Sequence, residues 1–105
     1  MLGFSAARLR SDPARALIAR VWVGEAPVGL ALVDHGGRIV VADSNRFLAP
    51  GGTSSLAVVN VAAALAGKPA PAGLLPAGQF PREMAAEPGG RTLLVTNSIP
   101  GRSNW

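Results

Sequence analysis

The chain has no cysteine and no tyrosine, a single histidine, and only 5% aromatic residues. Without cysteine there are no disulfides, no thiolate zinc site and no cysteine nucleophile; the redox compartment stays open, because many exported proteins also lack the residue. Charge is sparse at 15% of residues, and acidic side chains are the scarcer kind, six against ten basic ones, for a formal charge of +4. That positive charge is diffuse. Arg8, Arg10, Arg15 and Arg20 form the one local group, Asp12 interrupts it, and no aromatic side chains interleave to stack bases, so no nucleic-acid partner is expected. No apolar run approaches the roughly 20 residues of a membrane span. Residues 1–20 carry arginines where a signal peptide would have its apolar centre, so nothing in the sequence as written directs export.

What is present is the composition of one small globular domain: 105 residues, 49% of them hydrophobic. Thirteen glycines and nine prolines are spread along the chain, which predicts many short elements joined by tight turns and hence an all-β fold. Small and long side chains alternate from Ser5 to Ser11, Asp12-Pro13 marks a turn, and Ala16 to Val23 alternates again. Two strands are expected there. A helix over 14–23 is the rival reading, since Ala, Arg and Leu favour it while Val21-Trp22-Val23 favours a strand.

Pro27 to Val33 is apolar, Asp34-His35-Gly36-Gly37 is a turn, and Arg38 to Ala42 is a second apolar run, which together predict a hairpin. Arg82 to Ala86, the turn Glu87-Pro88-Gly89-Gly90 and Arg91 to Thr96 predict another. The two are in register at an offset of 54, matching Gly24 with Gly78, Pro27 with Pro81, Gly36 with Gly90, Val41 with Val95 and Asp43 with Asn97. Unbroken apolar runs such as Ile39 to Ala42 suit strands covered on both faces by neighbouring sheets. Between the hairpins lie an insertion from Phe47 to Ser54, a strand from Ser55 to Val61, a helical turn over 62–65 capped by Asn60 and ended by Gly67, and a weak peripheral strand over 72–77. Four antiparallel strands recurring every 40 to 55 residues or so are the signature of β-propeller blades. The expected division is the second half of a blade over 1–24, a complete blade over 25–77, and the first half of the next over 78–105.

Pro81-Arg82 followed by Pro88-Gly89-Gly90-Arg91-Thr92-Leu93-Leu94-Val95-Thr96-Asn97 resembles the YVTN-type propeller repeat. Pro27 to Leu32 with Gly36 to Asp43 is a looser copy, and Val21-Trp22-Val23-Gly24 resembles the blade-ending strand. The chain departs from the pattern at Gly89, Gly37 and Asp43, and in the inserts at 47–54 and 61–76. The resemblance implies a propeller of a family that is often exported or surface-exposed and overlaps in fold with seven-bladed lactonase-like enzymes. It implies a binding scaffold, with a metal-assisted hydrolase as the alternative, and no catalytic residue is carried over because the matched positions build blades. About two blade-equivalents cannot close a ring. The expected partners are therefore further blades of a longer protein, of which this chain is a fragment ending inside a loop, or other copies of the chain, three of which would make a six-bladed ring.

On the propeller analogy Glu25, Asp43, Asn45, Arg46, Gln79, Arg82, Glu83, Asn97 and Arg102 rim the mouth of a channel and are the candidate binding residues for a small molecule or protein. The cofactor is not specified. Asp43 and Asn97 offer oxygen donors suited to a divalent cation, although Asp and Asn at strand ends more often satisfy backbone groups. Arg82 beside Glu83 is suited to gripping an acidic ligand, or else to an ion pair or solvent contact. His35 falls in a hairpin turn away from that rim, and Ser54 and Ser55 lack the sequence context of a nucleophile.

Overall fold

The computed structural model describes residues 1–47 and 54–98. Within them the chain is mostly strand, arranged in antiparallel sheets with a few short helices, as the glycine and proline content predicts. Eight strands run in order: β1 (Leu2–Phe4), β2 (Leu17–Arg20), β3 (Pro27–Val33), β4 (Arg38–Asp43), β5 (Ser55–Asn60), β6 (Gly73–Pro76), β7 (Pro81–Ala86) and β8 (Leu93–Asn97). They form a two-stranded sheet β1-β2, a four-stranded meander β3-β4-β5-β6, and a two-stranded sheet β7-β8.

The three sheets are stacked, and the central one is covered on both faces. Val41, Ala57 and Val59 turn one way and pack with Ala19 of the first sheet and with Val21 and Val23 in the segment that follows it. Val40, Ala42 and Leu56, one residue out of phase along the same strands, turn the other way against Met84, Leu93 and Val95. The period-2 alternation of strand side chains thus gives an apolar run two cores to fill. Val59, Ala57 and Ala42 are wholly buried.

One sequence expectation is corrected. Residues 5–11 are not a strand: α1 (Ala6–Ser11) is a helix, its N-terminus capped by the Ser5 hydroxyl, which accepts from the Arg8 amide at 3.2 Å. Ala, Arg and Leu are good helix formers, and the small-long alternation there is a coincidence of composition that the cap overrides. The first strand is instead the short β1, which pairs with β2. The rival helix over 14–23 is reduced to a single 3-10 turn at Pro13–Arg15, after which the chain extends. The Asn60 expectation holds. Its side-chain oxygen accepts from the Ala63 amide at 3.0 Å and starts α2 (Val61–Leu65). Replacing it, as Asn60→Ala, is expected to cost about 1 kcal/mol, the usual value of a lost N-cap, read as a lower urea midpoint with unchanged slope.

The repeat seen in the sequence persists in the backbone. Pro27 pairs with Asp43 and Pro81 with Asn97, a register irregularity follows in each hairpin at the same place, and pairing resumes as Leu30 with Val41 and Met84 with Val95. Ala26 and Phe80, also 54 apart, both adopt left-handed backbone near φ +50° (51 and 48), and each accepts through its carbonyl from the amide of Ser44 or Ser98. A left-handed alanine and phenylalanine at matched positions are strained. The shared hairpin closure holds both.

Candidate functional site

The strand ends near Pro27 and Pro81 bring part of the expected rim together. Arg46 follows β4, Arg82 lies in β7, and the two line one cleft of about 120 Å³ with Val28, Ser44, Phe80 and Ser98. A shallower hollow of about 300 Å³ continues from it past Pro27 and adds Glu83. Arg46 lies over the Phe47 ring at 4.7 Å from its centroid, so its guanidinium is steadied by the aromatic face. Among the described residues Arg82 and Glu83 form no ion pair with each other; the ion pairs there are Arg15–Asp12 and Arg38–Asp34. Two exposed guanidiniums form a donor-rich wall that suits a carboxylate or another oxyanion.

The other expected residues are placed differently. Asp43 is fully buried, and Asn45 nearly so, with its amide donating to the Glu25 carbonyl at 3.1 Å. Asn97 is exposed, but its Nδ2 donates to the carbonyls of Ala77 and Gln79 at 2.6 and 3.0 Å, tying down the link that enters β7. Glu25 is half-buried and Gln79 exposed, and neither lines the cleft with the two arginines. Arg102 lies outside the described residues, as do most of the 47–54 insertion and the segment after Ser98.

Asp43 has an unusual environment. Burial pushes its carboxyl up to about 6 from a usual 3.8, opposed by the hydrogen bond that Ser55 Oγ donates to Oδ2 at 3.2 Å and by the charged N-terminus, and reinforced by Glu25. Its other oxygen, Oδ1, is buried without a hydrogen-bond partner. The repeat explains this. Asp43 occupies the position of Asn97, whose amide donates to two carbonyls, and an ionised carboxylate has nothing to donate. A buried acid in an asparagine's place favours its protonated form.

The sequence reading missed the serines. Ser54 Oγ donates to the Ser44 carbonyl at 2.9 Å and accepts from the Phe80 amide at 3.3 Å, so one hydroxyl links the end of the central sheet to the chain entering the third, joining two residues that line the cleft. Ser44 Oγ in turn donates to the Ala26 carbonyl at 2.9 Å. Sequence alone offered one signal for these, the polar Ser44 and Ser98 at matched repeat positions. His35 lies exposed in its turn with φ 53, among backbone groups and away from the cleft. At the corresponding turn of the second hairpin, the amides of Arg91 and Gly89 hold the Glu87 carboxyl below its usual value.

Among the described residues no three His, Cys, Asp or Glu side chains come together as a metal-binding group, and no helix is long and apolar enough to cross a membrane. Comparison with protein-family models, with curated proteins and with solved structures finds no match to this chain.

Proposed function

We propose that the chain is a β-propeller repeat protein of the YVTN type, acting as a binding scaffold that takes up a carboxylate-bearing ligand on its loop face, between β4 and β7. The observation that carries this reading is the return of the β3-β4 hairpin in β7-β8 with its register irregularity, its left-handed residue and its closing hydrogen bond all kept. A unit that recurs with its irregularities is built to stack. Four antiparallel strands in a meander, packed face to face with neighbouring sheets, is the geometry of a propeller blade, and β3 to β6 has that composition.

The cleft between two stacked units supplies the ligand chemistry. Arg46 and Arg82 come from successive units and reach the same hollow, so a carboxylate seated there receives charge-assisted bonds from both. The hydrolase alternative is less well supported, because Asp43 is wholly buried and the Asn97 amide is committed to two carbonyls.

Titration with succinate as probe, followed by amide chemical shifts, tests the reading. Shifts centred on Arg46, Arg82 and Ser98 are expected, and Arg46→Gln or Arg82→Gln should each weaken binding about tenfold, the scale of one lost charge-assisted hydrogen bond. Arg38→Gln, at an arginine paired with Asp34 in the distant turn, should leave it unchanged. Equal weakening by all three, or no shifts at the cleft, would overturn the assignment.

A further inference from the structure

The repeat extends beyond the two hairpins. The unit β1-α1-β2 has the same plan as β5-α2-β6: a strand, a side-chain N-cap at Ser5 or Asn60, a short helix, and a returning antiparallel strand. The pairings correspond residue by residue, Leu2 with Arg20 matching Ala57 with Leu74, and Gly3 with Ala19 matching Val58 with Gly73. The chain therefore carries a first half-sheet, β7-β8, equivalent to β3-β4, and a second half-sheet, β1-β2, equivalent to β5-β6. In the central sheet these halves are joined by pairing of β4 with β5. In the outer sheets they are apart, on opposite sides of the central sheet, and among the described residues the matching edges of β8 and β1 are unpaired.

We propose that a second copy of this chain joins them head to tail, β8 of one copy pairing antiparallel with β1 of the next to complete a four-stranded sheet. The β4-β5 register transfers directly. Ile39 with Val59, Val40 with Val58 and Val41 with Ala57 become Leu93 with Phe4 of the second copy, Leu94 with Gly3 and Val95 with Leu2.

The exposed apolar side chains agree with this docking independently of the edges. Leu2 and Phe4 are exposed on the first sheet, and Trp22, two residues beyond the end of β2, is 70% exposed between the buried Val21 and Val23. In the joined sheet they lie on the face of Met84, Leu93 and Val95 and extend the cover over Leu56 and Val58 of the central sheet. Leu94, 68% exposed, is the repeat equivalent of the buried Val40 and is turned away from its own central sheet. Across the joint it faces Leu30 and Leu32 of the second copy, which are exposed on that copy's β3 because its own first sheet has only two strands. One docking thus covers apolar groups on both ends and on the middle of the molecule, and it satisfies two open strand edges. The contact is heterologous, with different surfaces on the two copies, so it propagates until it closes into a ring or extends as a filament. The inference rests on the structural repeat and is independent of whether the cleft binds a carboxylate.

Sedimentation equilibrium and light scattering on the full chain test it. A species of at least twice the chain mass is expected over a wide concentration range. Phe4→Arg blocks one end and Leu94→Arg the other; both side chains are at least half exposed in the single chain, so each variant should keep the native circular dichroism and run as a monomer. Trp22→Ser is a second block of the first end should Phe4→Arg misfold. Mixing the Phe4→Arg and Leu94→Arg proteins should give a two-chain complex, because one intact end of each kind remains. A folded monomeric parent chain would overturn the proposal. So would an assembly broken by Leu94→Arg but untouched by both first-end variants, which would mean like-to-like contact.

Discussion

Asp43→Asn is expected to stabilise the protein at neutral pH and to flatten its stability profile between about pH 4 and pH 6. The carboxyl of Asp43 is raised to about 6 in the folded chain, first by burial, against 3.8 when unfolded. Between those values the folded chain holds a proton that the unfolded chain has released, so stability falls as pH rises, by about 1.4 kcal/mol per pH unit. The contribution is fully present below about pH 4 and lost above about pH 6. The total is on the order of 2 to 3 kcal/mol. An amide at the same place carries no ionisation and restores the donor that Asn97 uses at the matched position, where Nδ2 serves the carbonyls of Ala77 and Gln79. The equivalents are the carbonyls of Val23 and Glu25, 54 residues earlier. Urea denaturation of both proteins at pH 4.5 and 7.5 decides the matter: the variant should gain at pH 7.5 and differ little at pH 4.5. Parallel losses in the two proteins across that range would show that another group sets the profile.

Most of the strand framework was legible because it is written in turns and alternation. Asp34-His35-Gly36-Gly37 and Glu87-Pro88-Gly89-Gly90 each interrupt apolar runs, and both hairpins form where those runs lie. Asn60 announced its helix because a cap acts over three residues. The first helix was hidden by the same locality. Its six residues carry no apolar stripe and bury nothing, so only Ser5 marked it, in a stretch whose alternation imitated a strand. The sequence placed 1–24 as the second half of a blade, but with α1 unread the residue-by-residue match of β1-β2 to β5-β6 was unreadable.

The candidate site divides along a similar line. Position along the repeat grouped Arg46, Arg82 and Glu83, and the three do line one hollow, since register puts strand ends side by side. It did not separate them from Asp43, Asn45 and Asn97, whose roles depend on which carbonyls come within reach when sheets stack. Ser54 illustrates the limit: its two partners are 10 and 26 residues away in sequence, and nothing local indicates either.

Gly24→Ala is expected to be among the most damaging single substitutions in the chain, with a loss of roughly 3 to 5 kcal/mol from backbone strain and overpacking together. Gly24 has φ +138°, a conformation that side-chain-bearing residues rarely adopt, and a Cβ there would fall on the Asp43 carboxyl, 2.7 Å from Cγ and nearer still to Oδ2. Asp43 cannot retreat, being wholly buried at the end of β4 with Ser55 bonded to it. Its repeat equivalent is a built-in control. Gly78 has φ +71°, and a Cβ would meet Asn97 Nδ2 at 3.1 Å, on an exposed side chain that can give by a few tenths of an ångström, so Gly78→Ala should cost only about 1 to 2 kcal/mol, the strain of a left-handed residue. The clash can be separated from the strain by a double-mutant cycle. In an Asp43→Ala background the penalty of Gly24→Ala should shrink toward that of Gly78→Ala, because only the backbone cost remains. Equal penalties at Gly24 and Gly78 in the parent protein would mean that the Asp43 carboxyl does not press on Gly24. A penalty at Gly24 that persists undiminished without the carboxyl would place the whole cost in the backbone. The coupling of these two residues is therefore the measurable form of the closure that the repeat makes twice, tightly around a buried acid and loosely around an exposed amide.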